Sequence, residues 1–175
     1  MNECCTKEIK RGKSPKYVAD SGTLVFAQKC NTKYEDIDMR LALYLDESTL
    51  SKYSDDEYLC DKDIVINSTG TGTLGRVGIF SDSDNIRKFP IVSDSHVTVI
   101  RGSLQLNLLY LYIYLKSQQA ELEKLGEGST NQKELKAITL KNLNIPIPPY
   151  NEQCRISDLI SSLFSILDDI KKSLN

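Results

Sequence analysis

A single histidine, His96, in 175 residues makes a zinc site an unpromising reading of this chain. The five cysteines, Cys4, Cys5, Cys30, Cys60 and Cys154, form no C-x-x-C pair, and their odd number fits reduced thiols better than a disulfide framework. Long apolar runs are also missing. The longest, residues 106–115, is interrupted by Asn107 and falls far short of the ~20 residues that cross a bilayer. The polar start MNECCTKEIKRGK has no signal-peptide pattern, so the expectation is a soluble, cytoplasmic protein. A basic excess is lacking too. The net charge is −2, which argues against a domain that grips nucleic acid by charge alone.

The charge is unevenly spread. Residues 1–33 carry seven basic side chains against three acidic, whereas residues 34–63 carry ten acidic against three basic. Such asymmetry could turn one end toward an anion and the acidic segment toward solvent or a basic partner, or it could be ordinary solvated faces. The basic end includes Gly12-Lys13-Ser14-Pro15-Lys16-Tyr17, a loop broken by glycine and proline. Its lysines suit phosphates, and equally suit a mobile terminus.

The stretch 62–80, KDIVINSTGTGTLGRVGIF, organises the rest. Two apolar runs flank a loop of hydroxyls and glycines, the pattern of two strands joined by a glycine-rich turn. Gly70-x-Gly72-x-x-Gly75 also satisfies the dinucleotide fingerprint. That motif needs a helix after its last glycine to hold a pyrophosphate, and here β-branched and apolar residues follow with no helical period. As a hairpin, the glycines permit positive φ. In its functional version, Ser68, Thr69, Thr71 and Thr73 offer hydroxyls and backbone N–H groups to a phosphate backbone, with Arg76 beside them.

Around the hairpin the pattern predicts a strand at 23–28, a short helix near 47–53, a turn at 82–85, and strands at 89–92 and 97–101. Ser93-Asp94-Ser95-His96 lies between the last two. Neighbours in an extended chain face opposite ways and cannot form a catalytic relay, so this reads as a polar strand start. Ser103 is placed to cap a long helix over 106–125 that Gly126 stops, with Tyr110, Tyr112 and Tyr114 in its buried half. Asn131 and Glu134 match a capping box for a short helix ending near Ala137, and 138–145 reads as a final strand. Glu134-x-Lys136 has no Pro-Asp partner that would make it a nuclease motif. Ile147-Pro148-Pro149-Tyr150 resembles the base-holding loop of adenine methyltransferases, but isoleucine stands where the base-contacting Asn or Asp is required, so it reads as a linker. Asn151 can cap a last helix in which Ile156, Ile160, Leu163, Leu167, Ile170 and Leu174 form a heptad seam. A seam this short is marginal in isolation and must pack on its own domain, a second copy or a partner.

Taken in order, several motifs resemble the DNA specificity subunits of type I restriction-modification systems. These are Gly12-Lys13-Ser14-Pro15-Lys16-Tyr17, Ser68-Thr69-Gly70-x-Gly72-x-x-Gly75-Arg76-Val77-Gly78, Ser93-Asp94-Ser95-His96-Val97, the tyrosine-rich helix, Gly128-Ser129-Thr130-Asn131-Gln132-x-x-Leu135 and Ile145-Pro146-x-Pro148-Pro149-x-x-Glu152-Gln153-x-x-Ile156. The resemblance implies a mixed α/β target recognition domain of α+β type over 1–145, with a mostly antiparallel twisted sheet and packed helices. A proline-rich linker and a coiled-coil-like helix would follow over 146–175. It implies a half subunit, a truncated product or a single-domain reader that binds double-stranded DNA without catalysis. Adenine methyltransferase subunits, and through them a restriction subunit, would be its partners, and S-adenosylmethionine, ATP and magnesium would belong to them. The C-terminal seam would join two copies on an inverted-repeat target. A protein-interaction adapter that reads no DNA is the alternative. The candidate DNA contacts are Lys13, Lys16, Lys29, Ser68, Thr69, Thr71, Thr73, Arg76, Arg87 and Lys88, most of them to phosphates.

Overall fold

Residues 64–67 (IVIN) and 97–100 (VTVI) are buried at every position. Successive strand residues face opposite sides, so both faces of these strands must be covered. The computed structural model, which describes residues 1–33, 37–128 and 133–174, places them at the centre of a three-layer domain. In chain order the strands are β1 (Lys10–Arg11), β2 (Tyr17–Val18), β3 (Leu24–Phe26), β4 (Leu43–Leu45), β5 (Ile64–Asn67), β6 (Val77–Ile79), β7 (Ile91–Ser93) and β8 (Val97–Ile100). The helices are α1 (Leu108–Ser117), α2 (Gln119–Lys124), α3 (Ala137–Lys141) and α4 (Tyr150–Ser173).

There are two sheets where the sequence pattern suggested one. The first has the order β1-β8-β5-β6 and is antiparallel throughout, with Ile64 opposite Ile79 and Ile100, and Asn67 opposite Val97. The second has the order β2-β4-β3-β7, antiparallel except for the parallel β3–β7 pair. On one face of the first sheet, Ile64, Ile66, Val77 and Ile100 pack with Leu111 and Leu115 of α1, Leu122 of α2 and Leu140 of α3. On the other face, Val65, Val97 and Val99 meet Leu24, Phe26 and Ile91 of the second sheet. This two-sided cover explains the unbroken apolar runs.

Several expected elements are corrected. The single helix over 106–125 is broken at Gln118, whose ψ of 1° ends α1 and starts α2. Asn107, not Ser103, caps it, its side chain accepting from the Tyr110 N–H. Residues 137–141, expected to follow a helix and begin a strand, are themselves α3, and 142–149 contain no strand. The capping box at Asn131 lies outside the described residues. The last helix starts at Tyr150 with Pro149 in the cap position, ahead of Asn151. The tyrosines divide. Tyr110 is buried, and the Tyr110 and Tyr114 hydroxyls donate to Pro146 O at 2.9 Å and Asn144 O at 3.1 Å, tying down the segment that leads to α4.

At ~1.5 Å per residue, the 24 residues of α4 extend well beyond their docking site. Gln153 and Ser157 are buried against the start of α1, where Gln153 Oε1 accepts from the Asn107 N–H. Ile156 and Ile160 are half-buried. Beyond them the apolar face is uncovered, with Leu163 51%, Phe164 64% and Leu167 58% exposed. No described helix is long and apolar enough to cross a membrane.

Candidate nucleic-acid interface

The loop between β5 and β6 is closed by main-chain bonds. The Asn67 N–H donates to Arg76 O at 3.0 Å and the Gly75 N–H to Asn67 O at 2.8 Å. It is then fastened to the turn after β3. Arg76 Nη1 donates to Asn31 O at 2.8 Å and Nη2 to Gly72 O at 3.1 Å, while Asn31 Nδ2 donates to Arg76 O at 3.0 Å and Asn67 Nδ2 to Gln28 O at 3.1 Å. Lys29, exposed on that turn, is thereby carried beside the loop. Gly75 packs against α2, where an added Cβ would stand 2.7 Å from the Glu123 nitrogen. The loop is therefore held on both flanks.

The side chains of the loop do not all face outward. Thr71 is exposed, and Thr73 Oγ1 donates to Thr69 O at 3.2 Å. Ser68 is fully buried, its hydroxyl 2.6 Å from Thr98 Oγ1. As a candidate phosphate contact Ser68 is corrected, because directly after β5 its side chain turns inward against Thr98 of β8. Arg76 braces the loop, its two terminal nitrogens bonded to carbonyls.

Lys13 and Lys16 stand apart from this loop, and their ammonium groups are neutralised within the chain. Lys13 Nζ meets Glu57 Oε2 at 2.5 Å and lies 5.5 Å from the Tyr53 ring centroid; Lys16 meets Asp46 at 2.6 Å. Lys10 lies 3.6 Å from Glu57, and Lys7 donates to Asp56 O at 2.6 Å. Lys10, Lys13 and Lys16 of the basic N-terminal segment thus face Glu57 and Asp46 of the acidic segment. Burial works to raise the Glu57 carboxyl, but the Lys13 bond, the Ser54 N–H and the charges of Lys13 and Lys10 outweigh it and hold the group below the ordinary glutamate range. The hydrogen bond from Lys16, with help from Ser48, lowers Asp46 to about 2.

Arg87 and Lys88 occupy the opposite end of the β5–β6 ladder. The Arg87 guanidinium lies 5.2 Å from the Tyr44 ring centroid and donates to its hydroxyl at 2.7 Å. Lys88 has a φ of 55° and donates to Asp82 O at 2.9 Å. A cleft of about 520 Å³ lined by Met39, Arg40, Ile86 and Arg87 lies beside them.

Three residues not among the sequence candidates belong to the hairpin end. His96 presents Nδ1 to Thr69 Oγ1 at 2.7 Å. Arg11 is paired with Glu134 at 3.2 Å, and Glu134 bridges Thr69 in the main chain. Lys133 is exposed and lines a hollow with Gly70, Thr71 and Gly72. No sequence signal links positions 69, 96 and 134; only the strand register does. No relay forms around His96, because Asp94 accepts from its backbone N–H at 2.8 Å while the ring turns to Thr69. Among the described residues, no group of three potential metal ligands occurs.

The family model for the type I restriction modification DNA specificity domain matches residues 8–175. Similar solved structures include the HsdS subunit from Thermoanaerobacter tengcongensis, with a TM-score of 0.69 and 19% identity over 98% of this chain and 38% of that one. A chain from a structural study of complex assembly and conformational transition in the type I R-M system gives 0.70 and 18% over the same shares. The type I restriction-modification S subunit from M. genitalium gives 0.59 and 19% over 94% and 38%. The chain therefore spans well under half the length of the solved relatives it matches, and likeness at such identity speaks for the fold.

Proposed function

Because the chain belongs to the family of type I restriction-modification DNA specificity domains, we infer that it is a sequence-specific DNA-recognition subunit. It directs partner adenine methyltransferase subunits, and a restriction subunit through them, to a target site in the cytoplasm. It carries no catalysis of its own, and S-adenosylmethionine, ATP and magnesium serve the partners. The observation that carries this reading is the braced β5–β6 loop, where exposed Thr71 and half-buried Thr69 and Thr73 are fixed beside Lys29 and Lys133, neither of which is engaged in an ion pair among the described residues. Cations that position a duplex by its phosphates, around neutral polar groups that meet base edges, are the usual division of labour in DNA readers. The internal pairing of Lys10, Lys13 and Lys16 takes these three cations out of a phosphate grip, which favours sharing that grip with partner subunits. The uncovered face of α4, from Leu163 through Ile170, supports pairing with a second copy and hence an inverted, gapped target.

The test is binding to duplex DNA by the chain assembled with its methyltransferase subunits. Lys29→Gln and Lys133→Gln should each flatten the dependence of log affinity on log salt by roughly one unit and leave sequence preference unchanged. Salt-independent binding, or slopes unmoved by both substitutions, would refute the interface. The adapter reading draws on the same exposed α4 face. It predicts methyltransferase binding with no preference among DNA sequences.

A further inference from the structure

We propose that His96 is a DNA contact of this chain, donating from Nε2 to an acceptor atom of the duplex; this rests on the DNA-recognition reading above. His96 is the only histidine in the sequence, and it is exposed at the tight turn between β7 and β8. Its main chain is fixed from two sides. The N–H donates to Asp94 Oδ1 at 2.8 Å, and the carbonyl accepts from the Ser68 N–H at 2.8 Å, continuing the β5–β8 ladder one step past the Asn67–Val97 pair. The buried Asp94 that holds it cannot swing away. The ring is fixed in turn by Thr69 Oγ1, 2.7 Å from Nδ1.

An exposed residue held at two main-chain points and one ring nitrogen is unusual for a solvated surface side chain, which keeps its rotamer freedom. Thr69 Oγ1 has no other hydrogen-bond partner among the described residues. With Thr69 Oγ1 donating to Nδ1, the ring turns an Nε2–H outward as its donor. The result is a donor without a partner among the described residues, held so that little entropy is lost when it binds. Its surroundings fit a duplex. Thr71 and Gly72 are uncharged and exposed, Lys29 and Lys133 stand on the flanking segments, and the carboxylate of Glu134, the acid bridged to Thr69, is paired with Arg11. Two acceptor classes share the chemistry this donor requires. One is a base edge, guanine N7 or O6 or thymine O4; the other is a phosphate oxygen.

The experiment uses the chain assembled with its methyltransferase subunits and two probes: a duplex carrying the motif that the wild-type complex methylates, and a shuffled duplex. His96→Ala should weaken binding to the motif duplex roughly three- to tenfold, and His96→Gln, which retains an N–H donor, should recover part of the loss. Thr69→Val, which frees the ring, should lose less than His96→Ala. If methylation by His96→Ala relaxes at one position of the motif, the acceptor is a base edge. If affinity for both duplexes falls alike and the motif is unchanged, it is a phosphate; either outcome supports the contact. Unchanged affinity and motif for His96→Ala, with or without a lowered melting temperature, would overturn it. A wild-type complex that discriminates no sequence would overturn the recognition reading itself, a failure distinct from the first.

Discussion

Gly75→Ala should destabilise the chain clearly more than Gly72→Ala, although both residues belong to the same glycine-rich loop and have nearly the same φ, 75° and 73°. Placing a side chain in this left-handed region costs ~1–2 kcal/mol, and that cost is common to both. At Gly72 nothing lies within 4 Å of an added Cβ, so the conformational cost is all that Gly72→Ala should show. At Gly75 the Cβ would stand 2.7 Å from Glu123 N, 3.0 Å from Leu122 C and 3.1 Å from Glu123 Cα, all of them main-chain atoms of α2. Leu122 beside them is fully buried, so α2 cannot retreat without opening the core. Overpacking of this kind adds ~1–3 kcal/mol, which brings Gly75→Ala to about 2–5 kcal/mol. Denaturant unfolding of the two variants measures the difference directly, through shifts in midpoint at constant slope. Equal destabilisation would refute the reasoning, because the last glycine would then be a matter of turn conformation alone and not of the hairpin pressing on α2.

Other consequences follow from the same coordinates. Arg101 meets the buried Asp63 through two bonds, 2.8 and 2.7 Å, so Arg101→Met should cost ~3–5 kcal/mol in unfolding free energy by stranding a buried carboxylate; a loss under ~1 kcal/mol would show that Asp63 is not dependent on it. Glu57 has a folded-state pKa below its ordinary value near 4.5, so its stabilising contribution is complete above that pH and fades as pH falls through the lowered value. Glu57→Gln should therefore be less stable than the parent at pH 7, and urea titrations should find the gap closing below about pH 4.5; a constant gap would mean that Glu57 acts through packing. Leu163→Ser with Leu167→Ser should leave chain stability within ~0.5 kcal/mol, since both side chains are exposed, yet weaken self-association in sedimentation velocity. A change in stability without a change in association would place the α4 face against its own domain.

What was legible in the sequence was local. Two apolar runs around Gly70, Gly72 and Gly75 specified the β5–β6 hairpin, and the heptad spacing from Ile156 specified α4. The break at Gln118 was not legible, because no glycine or proline marks it in residues 106–125, and it shows only in the packing that takes both Leu115 of α1 and Leu122 of α2 into the core. Residues 138–145 misled for the opposite reason: a short apolar run fits a strand or one helical turn, and here Leu140 enters the core from a helix. The charge pattern was legible as an asymmetry but not as a contact. That Lys13 meets Glu57 and Lys16 meets Asp46 depends on strand pairing across some 30 to 44 positions, which pairs the lysines of the basic N-terminal loop within the chain. Register turned Ser68 inward and brought His96 alongside Thr69.

The central claim is that this chain selects the DNA site on which partner subunits act. Its most direct test is modified-base sequencing of DNA from cells expressing the chain with its cognate methyltransferase subunit, compared with the methyltransferase alone. The account predicts methylated adenines in one inverted, gapped motif that appears only when the chain is present. The absence of any such motif, with a methyltransferase that is competent beside an intact specificity subunit, would contradict it.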